Sequence, residues 1–246
     1  MTAIDANNNF DYGKLFMIRP ILNLRKKRIL IDVDTQRDFF LADGQMCVRN
    51  HRRVLANIRR VMAWARHEHI RVISTALIHS PHDHQEPYCR IGTEGVRKLR
   101  YTLRHHHVTF DADDSTDLPR ENVQDAEQIV LLKRTVDPFD EPRAERVLTE
   151  TKANELIVVG GPTETSVLFT VLGLLMRQKN VIVVYDAIGS LDKNAAQVAL
   201  RKMQAKGAKL LDTRSLFGAS SLKIVGACNC DRCRGRLASI SKHQTR

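Results

Sequence analysis

The stretch Glu155-Leu-Ile-Val-Val-Gly160, followed at once by Gly161-Pro-Thr-Glu-Thr-Ser166, decides the fold. An unbroken apolar run of strand length runs into a Gly-Gly-Pro turn. Thr163 then opens a nearly all-apolar helix that reaches about Gln178. A continuous apolar strand, unlike an alternating one, belongs in a sheet covered on both faces. The same unit recurs outward from this point. Downstream, Val181–Asp186 is a second apolar run, Asp192–Lys206 an amphipathic helix stopped by Gly207, and Lys209–Asp212 a last strand. Upstream, Gln128–Lys133 is a strand, and Pro142 opens a short helix, as proline does in a first turn. Arg28–Asp34 and Ile70–Thr75 are two further strands. Between them Asn50 is placed to cap a helix from His51 to about His69, whose Val54, Leu55, Ile58, Val61, Met62 and Ala65 keep the 3.6-residue period. Residues 79–104 form a long polar connection with a short helix expected near 95–103, and Val108–Phe110 is a candidate for one more short strand.

Strands alternating with helices predict an α/β chain. The expected architecture is a three-layer doubly wound (Rossmann-like) sandwich with a mainly parallel six-stranded sheet. The expected organisation is a basic N-terminal extension (1–28), one domain (29–216) and a basic, cysteine-containing C-terminal tail (217–246).

Composition narrows the function. The chain has 246 residues, 43% hydrophobic and 27% charged, enough for a substantial core. Its longest apolar run, Val167–Met176, is interrupted by Thr170 and Gly173 and is too short to span a bilayer. The first residues lack the pattern of a signal peptide. A cytoplasmic protein without a membrane partner is expected. The net charge of +11 is uneven. Residues 1–28 carry six basic groups against Asp5 and Asp11, and residues 223–246 carry six against Asp231. The excess therefore lies at the ends, and nucleic acid is not expected as a partner. Five cysteines, an odd number, read as free thiols. Cys228, Cys230 and Cys233 have metal-like spacing but lack a fourth neighbouring ligand.

Ligands of open parallel sheets sit beyond the carboxyl ends of the strands. Asp34 ends one strand and Lys133 another, and a lysine at the end of a buried strand needs an acidic partner. After Gly160 the turn and helix start gather backbone N–H groups that favour negative charge and could hold an oxyanion, with the Ser166 hydroxyl in the first turn. His79, His82 and His84 cluster in a loop beside Asp83 and are the candidates for a metal; neither metal nor cofactor is expected. His105–His107 is a second run, read as solvent-facing.

These segments resemble the isochorismatase-like hydrolase superfamily, which includes nicotinamidases. Asp34-Thr-Gln36-Arg-Asp38-Phe39 is similar to its Asp-x-Gln-x-Asp-Phe signature, Cys89-Arg-Ile-Gly92-Thr93-Glu-Gly95 to its Cys-x-x-Gly-Thr-x-Gly segment, Lys133-Arg-Thr-Val-Asp137-Pro-Phe139 to its lysine motif, and Gly160–Val167 to its nucleophile turn. Asp186-Ala187 fits the strand that follows. The resemblance implies an Asp34, Lys133, Ser166 catalytic set. It also implies substrate or oxyanion contacts from Gln36, Phe39, Gly161, Pro162, Thr163 and Thr165, a cis peptide before Pro162, a small-molecule substrate and a homo-oligomer. Two departures stand out. Ser166 occupies the position of the family's cysteine, and a serine hydroxyl needs a stronger base than a thiol does. Leu77 and Tyr88 occupy positions where nicotinamidases carry metal ligands. The resemblance thus implies a hydrolase of a vinyl ether or a C–N bond with Asp34 as acid/base and Lys133 as electrostatic partner; Ser166 as a weak nucleophile is a variant of it. The alternative is a catalytically inactive member serving as a binding or assembly module.

Overall fold

The computed structural model describes residues 27–82 and 85–221. Asp83, His84 and the cysteines of the C-terminal tail lie outside the described residues, as do most of the basic groups at the two ends. Along the chain run β1 (Arg28–Val33), α1 (Arg37–Phe40), α2 (His51–His67), β2 (Arg71–Leu77), a 3-10 turn (Arg100–Thr102), β3 (His107–Phe110), α3 (Arg120–Gln124) and β4 (Gln128–Lys133). There follow a 3-10 turn (Pro138–Asp140), α4 (Pro142–Glu150), β5 (Glu155–Gly160), a π-helical turn (Thr163–Val167), α5 (Leu168–Met176), β6 (Val181–Ile188), α6 (Lys193–Ala205), β7 (Lys209–Leu211) and α7 (Thr213–Ser221).

The sheet has seven strands, not six, in the order β3-β4-β2-β1-β5-β6-β7, and every pairing is parallel. The added strand is β3, a strand of four residues that pairs, among the described residues, only with β4. Its exposed His107 and Thr109 give it no buried run to announce it.

Both faces of the sheet are covered. On one, Leu30, Val72, Ile157 and Ile182 pack against Val54, Ile58, Val61 and Trp64 of α2 and Leu216 and Phe217 of α7. On the other, Ile31, Ile73 and Ile129 pack against Leu148 of α4, Val171 and Leu174 of α5 and Met203 of α6. Full burial of each such side chain contributes about 1.5–3 kcal/mol.

Two expected caps do other work. The Asn50 side chain does not cap α2; its Oδ1 accepts from the Ser190 N–H at 3.2 Å. The Thr163 hydroxyl does not cap its helix; it donates to the Gly189 carbonyl at 2.7 Å. Asp192 does cap α6, accepting from the Ala195 N–H at 2.7 Å.

Strand order reverses around β1, which lies between β2 and β5. The crevice of a doubly wound sheet opens at such a switch point. Asp34 follows β1, the Ser166 turn follows β5, and Lys133 ends β4 one strand beyond β2.

Candidate functional site

Asp34, Lys133 and Ser166 come together in the interior, each with 0% exposure. The Lys133 ammonium lies 2.8 Å from Asp34 Oδ2 and 3.5 Å from Ser166 Oγ. It also donates to the carbonyls of Thr135 at 2.9 Å and Val136 at 3.2 Å. Asp34 Oδ1 accepts from the Thr75 hydroxyl at 2.6 Å. Asp34 itself sits at φ 46°, a left-handed conformation that non-glycine residues seldom adopt. Among the described residues no hydrogen bond joins Asp34 to Ser166 directly; the ammonium lies between them.

The turn that carries Ser166 is built by close backbone approach. Gly160 has φ 119°, and a Cβ there would meet the Val33 carbonyl oxygen at 1.9 Å. The Gly161–Pro162 peptide bond is cis. The N–H groups expected to face a substrate oxygen are partly committed elsewhere. Gly161 N–H donates to Val33 O at 3.0 Å and Thr163 N–H to Gly189 O at 2.7 Å, while Pro162 has none to give. Those bonds tie the turn to β1 and to the end of β6. The first hydrogen bond of the helical turn is Val167 N–H to Pro162 O at 3.0 Å. Among the described residues, the N–H groups of Glu164, Thr165 and Ser166 have no backbone acceptor outside the helical turn itself, as expected for a first turn.

The remaining signature residues build the frame. Gln36 is buried; its Nε2 donates to Leu77 O at 2.7 Å and Val96 O at 2.8 Å, and its Oε1 accepts from Leu77 N–H at 2.8 Å. Its polar atoms are committed to clamping β1 to β2. Phe39 is a core side chain, 1% exposed, tilted against Tyr88 at 5.6 Å. Asp38 accepts from Gln45 N–H at 3.1 Å and Cys89 N–H at 2.6 Å, joining two loops. Gly95 leaves room for it, since a Cβ there would meet Asp38 Oδ2 at 2.1 Å. Thr165 is half-buried.

Cys89 is buried and stands in the same electrostatic neighbourhood. Burial foremost, then the Asp34 and Asp38 charges, push its thiol well above the ordinary value, with Lys133 and Lys98 opposing. Such a thiol is not poised as a nucleophile. Of the candidate metal ligands, His79 packs edge-on against Tyr88 at 5.0 Å, His82 is exposed, and His84 lies outside the described residues. Among the described residues no three histidine, cysteine or acidic side chains are grouped to hold an ion.

Sequence reading missed Thr75 and a second buried ion pair. Lys98 Nζ lies 2.9 Å from Asp32 Oδ2 and donates to Thr35 Oγ1 at 2.9 Å and Thr75 O at 3.1 Å. Asp32 also accepts from the Ser74 hydroxyl at 2.7 Å, and Ser74 from Gln128 Nε2 at 2.6 Å. The available signal was Asp32 itself, an acid within an otherwise apolar strand, which demands a buried cation.

A parallel doubly wound sheet with a carboxylate, an ammonium and a hydroxyl gathered at its switch point places the chain in the class of α/β proteins that bind ligands at the carboxyl edge. Residues 28–215 match the isochorismatase domain, and the chain belongs to that family. Solved structures agree on the fold. Nicotinamidase PncA from Bacillus subtilis is 20% identical with a TM-score of 0.60, over 76% of this chain and 99% of that one. An isochorismatase family protein from Desulfovibrio vulgaris is 19% identical with a TM-score of 0.63, over 78% and 96%. N-carbamoylsarcosine amidase from Thermoplasma acidophilum is 18% identical with a TM-score of 0.59, over 78% and 99%. No curated protein sequence matches the chain.

Proposed function

We propose that the protein hydrolyses a small molecule at a vinyl ether or C–N bond, with Asp34 exchanging the proton and Lys133 holding the negative charge that develops. One observation carries this reading: the ammonium of Lys133 is shared between Asp34, at 2.8 Å, and Ser166, at 3.5 Å, in a fully buried site. A charge pair without solvent acts strongly on any group brought against it. The two arms of the substrate class have separate support. The C–N arm accords with structural neighbours named as a nicotinamidase and a carbamoylsarcosine amidase. The vinyl ether arm accords with the missing thiol.

Ser166 is better suited to binding than to attack. Its oxygen faces an ammonium, which donates hydrogen bonds and cannot take the hydroxyl proton. In this reading the hydroxyl and the first-turn N–H groups of Thr165 and Ser166 hold the substrate oxygen. Gly161, Pro162 and Thr163 fix the turn.

The second reading, an inactive member acting as a binding or assembly module, draws on the commitment of Gln36 and Phe39 to the framework. Turnover of isochorismate and of a panel of amides and imides by wild type, Asp34→Asn and Ser166→Ala separates the readings. Hydrolysis lost in Asp34→Asn and retained within about tenfold in Ser166→Ala supports acid/base chemistry without a serine nucleophile. Equal loss in both restores the nucleophile. No turnover by wild type on any of these substrates favours the inactive module.

A further inference from the structure

The body of the domain is nearly balanced in charge, but the charges are segregated. Residues 49–71 carry seven basic side chains against Glu68 alone, and residues 97–107 carry four basic side chains and no acid. Residues 111–127 carry seven acids against Arg120.

The basic share is concentrated on α2. Val54, Ile58, Val61, Met62 and Ala65 form its buried side. Arg52, Arg53, Ala56, Arg59, Arg60, Arg66 and His67 fall on the opposite side and are exposed. The helix has no acid in its first turn, and Glu68 beyond its end is engaged with His67 at 3.0 Å. A face that merely stabilises its own helix interleaves acids with bases at i,i+4, and two arginines in a first turn oppose the helix dipole. Among the described residues, none of these five arginines has a carboxylate partner.

The surface continues past the helix. The 3-10 turn packs on α2, with the Arg59 guanidinium 4.7 Å from the centre of the Tyr101 ring and Arg66 donating to Tyr101 O at 2.7 Å. Arg100 beside it is exposed. Arg66 also forms one wall of a cleft of about 460 Å³, where it meets His69, Arg71 and Arg104, with Asp125 and Glu127 as the acids. Arg104 is 7% exposed, and the Nε atoms of Arg71 and Arg104 have no hydrogen-bond partner among the described residues. Burial, reinforced by the Arg66 charge, pushes the Arg104 guanidinium down to about 10.

We infer that the exposed arginine face of α2, continued by Arg100 and the cleft at the helix end, docks the phosphate backbone of a nucleic-acid strand. The occupant follows from the chemistry. Guanidinium groups pair with phosphate oxygens in a two-pronged geometry that a lysine surface does not reproduce. The arginine clusters at 52/53, 59/60 and 66 repeat every seven residues, about 10 Å along the axis at 1.5 Å per residue, which suits a ligand with regularly spaced charge. A membrane is disfavoured because the face offers only alanine as apolar surface and nothing to insert. Arg59 is held over the half-buried Tyr101 ring, which fixes its exposed guanidinium on this face. This inference is independent of the hydrolytic site.

The test uses the full chain and fluorescence anisotropy. The probes are a labelled 20-nucleotide poly-U RNA, a single-stranded DNA of equal length and a DNA duplex, titrated between 50 and 200 mM NaCl. A variant carrying Arg52→Gln, Arg53→Gln, Arg59→Gln and Arg60→Gln is compared with one carrying Lys223→Gln, Arg232→Gln, Arg234→Gln and Arg236→Gln. Both lose four charges. The α2 variant is expected to bind RNA at least tenfold more weakly, with the slope of log K against log salt reduced by about 0.7 for each phosphate of a single strand that is no longer neutralised. The tail variant is expected to lose less. A tail variant that loses as much, an α2 variant that binds like wild type, or a wild type that does not bind overturns the inference. So does equal, α2-dependent binding to phosphatidylserine vesicles or polyglutamate. Tighter binding of the duplex than of either single strand overturns the assignment to a single strand. Should the variant fail to fold, ultraviolet cross-linking of wild type to the RNA decides: peptides from 49–71 or 97–107 support the inference, and peptides from elsewhere alone overturn it.

Discussion

The ion pair between Lys133 and Asp34 is the most consequential contact in the molecule. Removing one member of a buried pair leaves a charge without water or partner, a loss of about 3–5 kcal/mol. Lys133→Met should therefore lower stability by that amount in urea unfolding. Adding Asp34→Asn should recover part of it, because the stranded carboxylate is gone. A double variant no more stable than Lys133→Met would mean that the pair is not coupled. The same environment sets the behaviour of Cys89. Burial and two nearby carboxylates hold its thiol protonated, so the reactive thiolate is scarce at neutral pH. Alkylation of native protein at pH 8, followed by peptide mapping, should leave Cys89 unmodified and label it fully in urea. Rapid native labelling would show that the site opens freely. Asp34 and Lys133 could be read from the sequence because each closes an apolar run, and a charge at the end of a buried strand must face something. Thr75 and Lys98 could not. Thr75 bonds Asp34 only because the parallel register seats it beside the end of β1, and Lys98 arrives from a loop that ends in no recognisable pattern.

Among the elements, the β5 turn depends most on one residue. Gly160 combines a positive φ with a backbone oxygen where a side chain would begin. Gly160→Ala should cost about 1–3 kcal/mol from conformation alone, with the clash against Val33 added, and should lower turnover by displacing Ser166. The turn was legible in outline as strand, glycines, proline and helix. Its hydrogen bonding was not, since Thr163 and Gly161 bond to Gly189 and Val33, positions set by the neighbouring strands. The edge beside β3 is held differently. The loop after β3 is tied by Asp113 to Arg143 and by Asp114 to Arg134, and these arginine partners lower both carboxyls below their ordinary value of 3.8. A depressed folded value means that the stabilisation is present above the unfolded value and disappears as pH falls through the folded one. Protection of the amides in residues 111–117, taken relative to their intrinsic exchange rates, should therefore be present at pH 5 and be lost as pH falls below the ordinary carboxyl value of 3.8, and salt should weaken the effect because both acids are exposed. Unchanged protection across that range would remove the ion pairs from any role in ordering the loop.

At the scale of the whole molecule, the sheet is a partition with a separate apolar cluster on each side, and the question is whether the two clusters fold as one. Ile58 is fully buried under α2 on one side, and Ile129 is 3% exposed on the other. Ile→Val at either site removes one methylene and should cost about 0.5–1.5 kcal/mol. The side chains belong to different clusters, so the losses should add within about 0.3–0.5 kcal/mol. Cooperativity is the stronger test. Every strand between β3 and β7 shares its backbone bonds with a neighbour, and β1, β2, β5 and β6 each contribute side chains to both clusters. Neither layer can be exposed without loosening the sheet that supports the other. Far-ultraviolet circular dichroism and Trp64 fluorescence, whose indole lies in the α2 cluster, should therefore give one coincident transition in wild type and in both variants. If the fluorescence transition moved with Ile58→Val while the dichroism transition did not, the α2 layer would be melting on its own, and the reading of 29–216 as a single cooperative domain would fail.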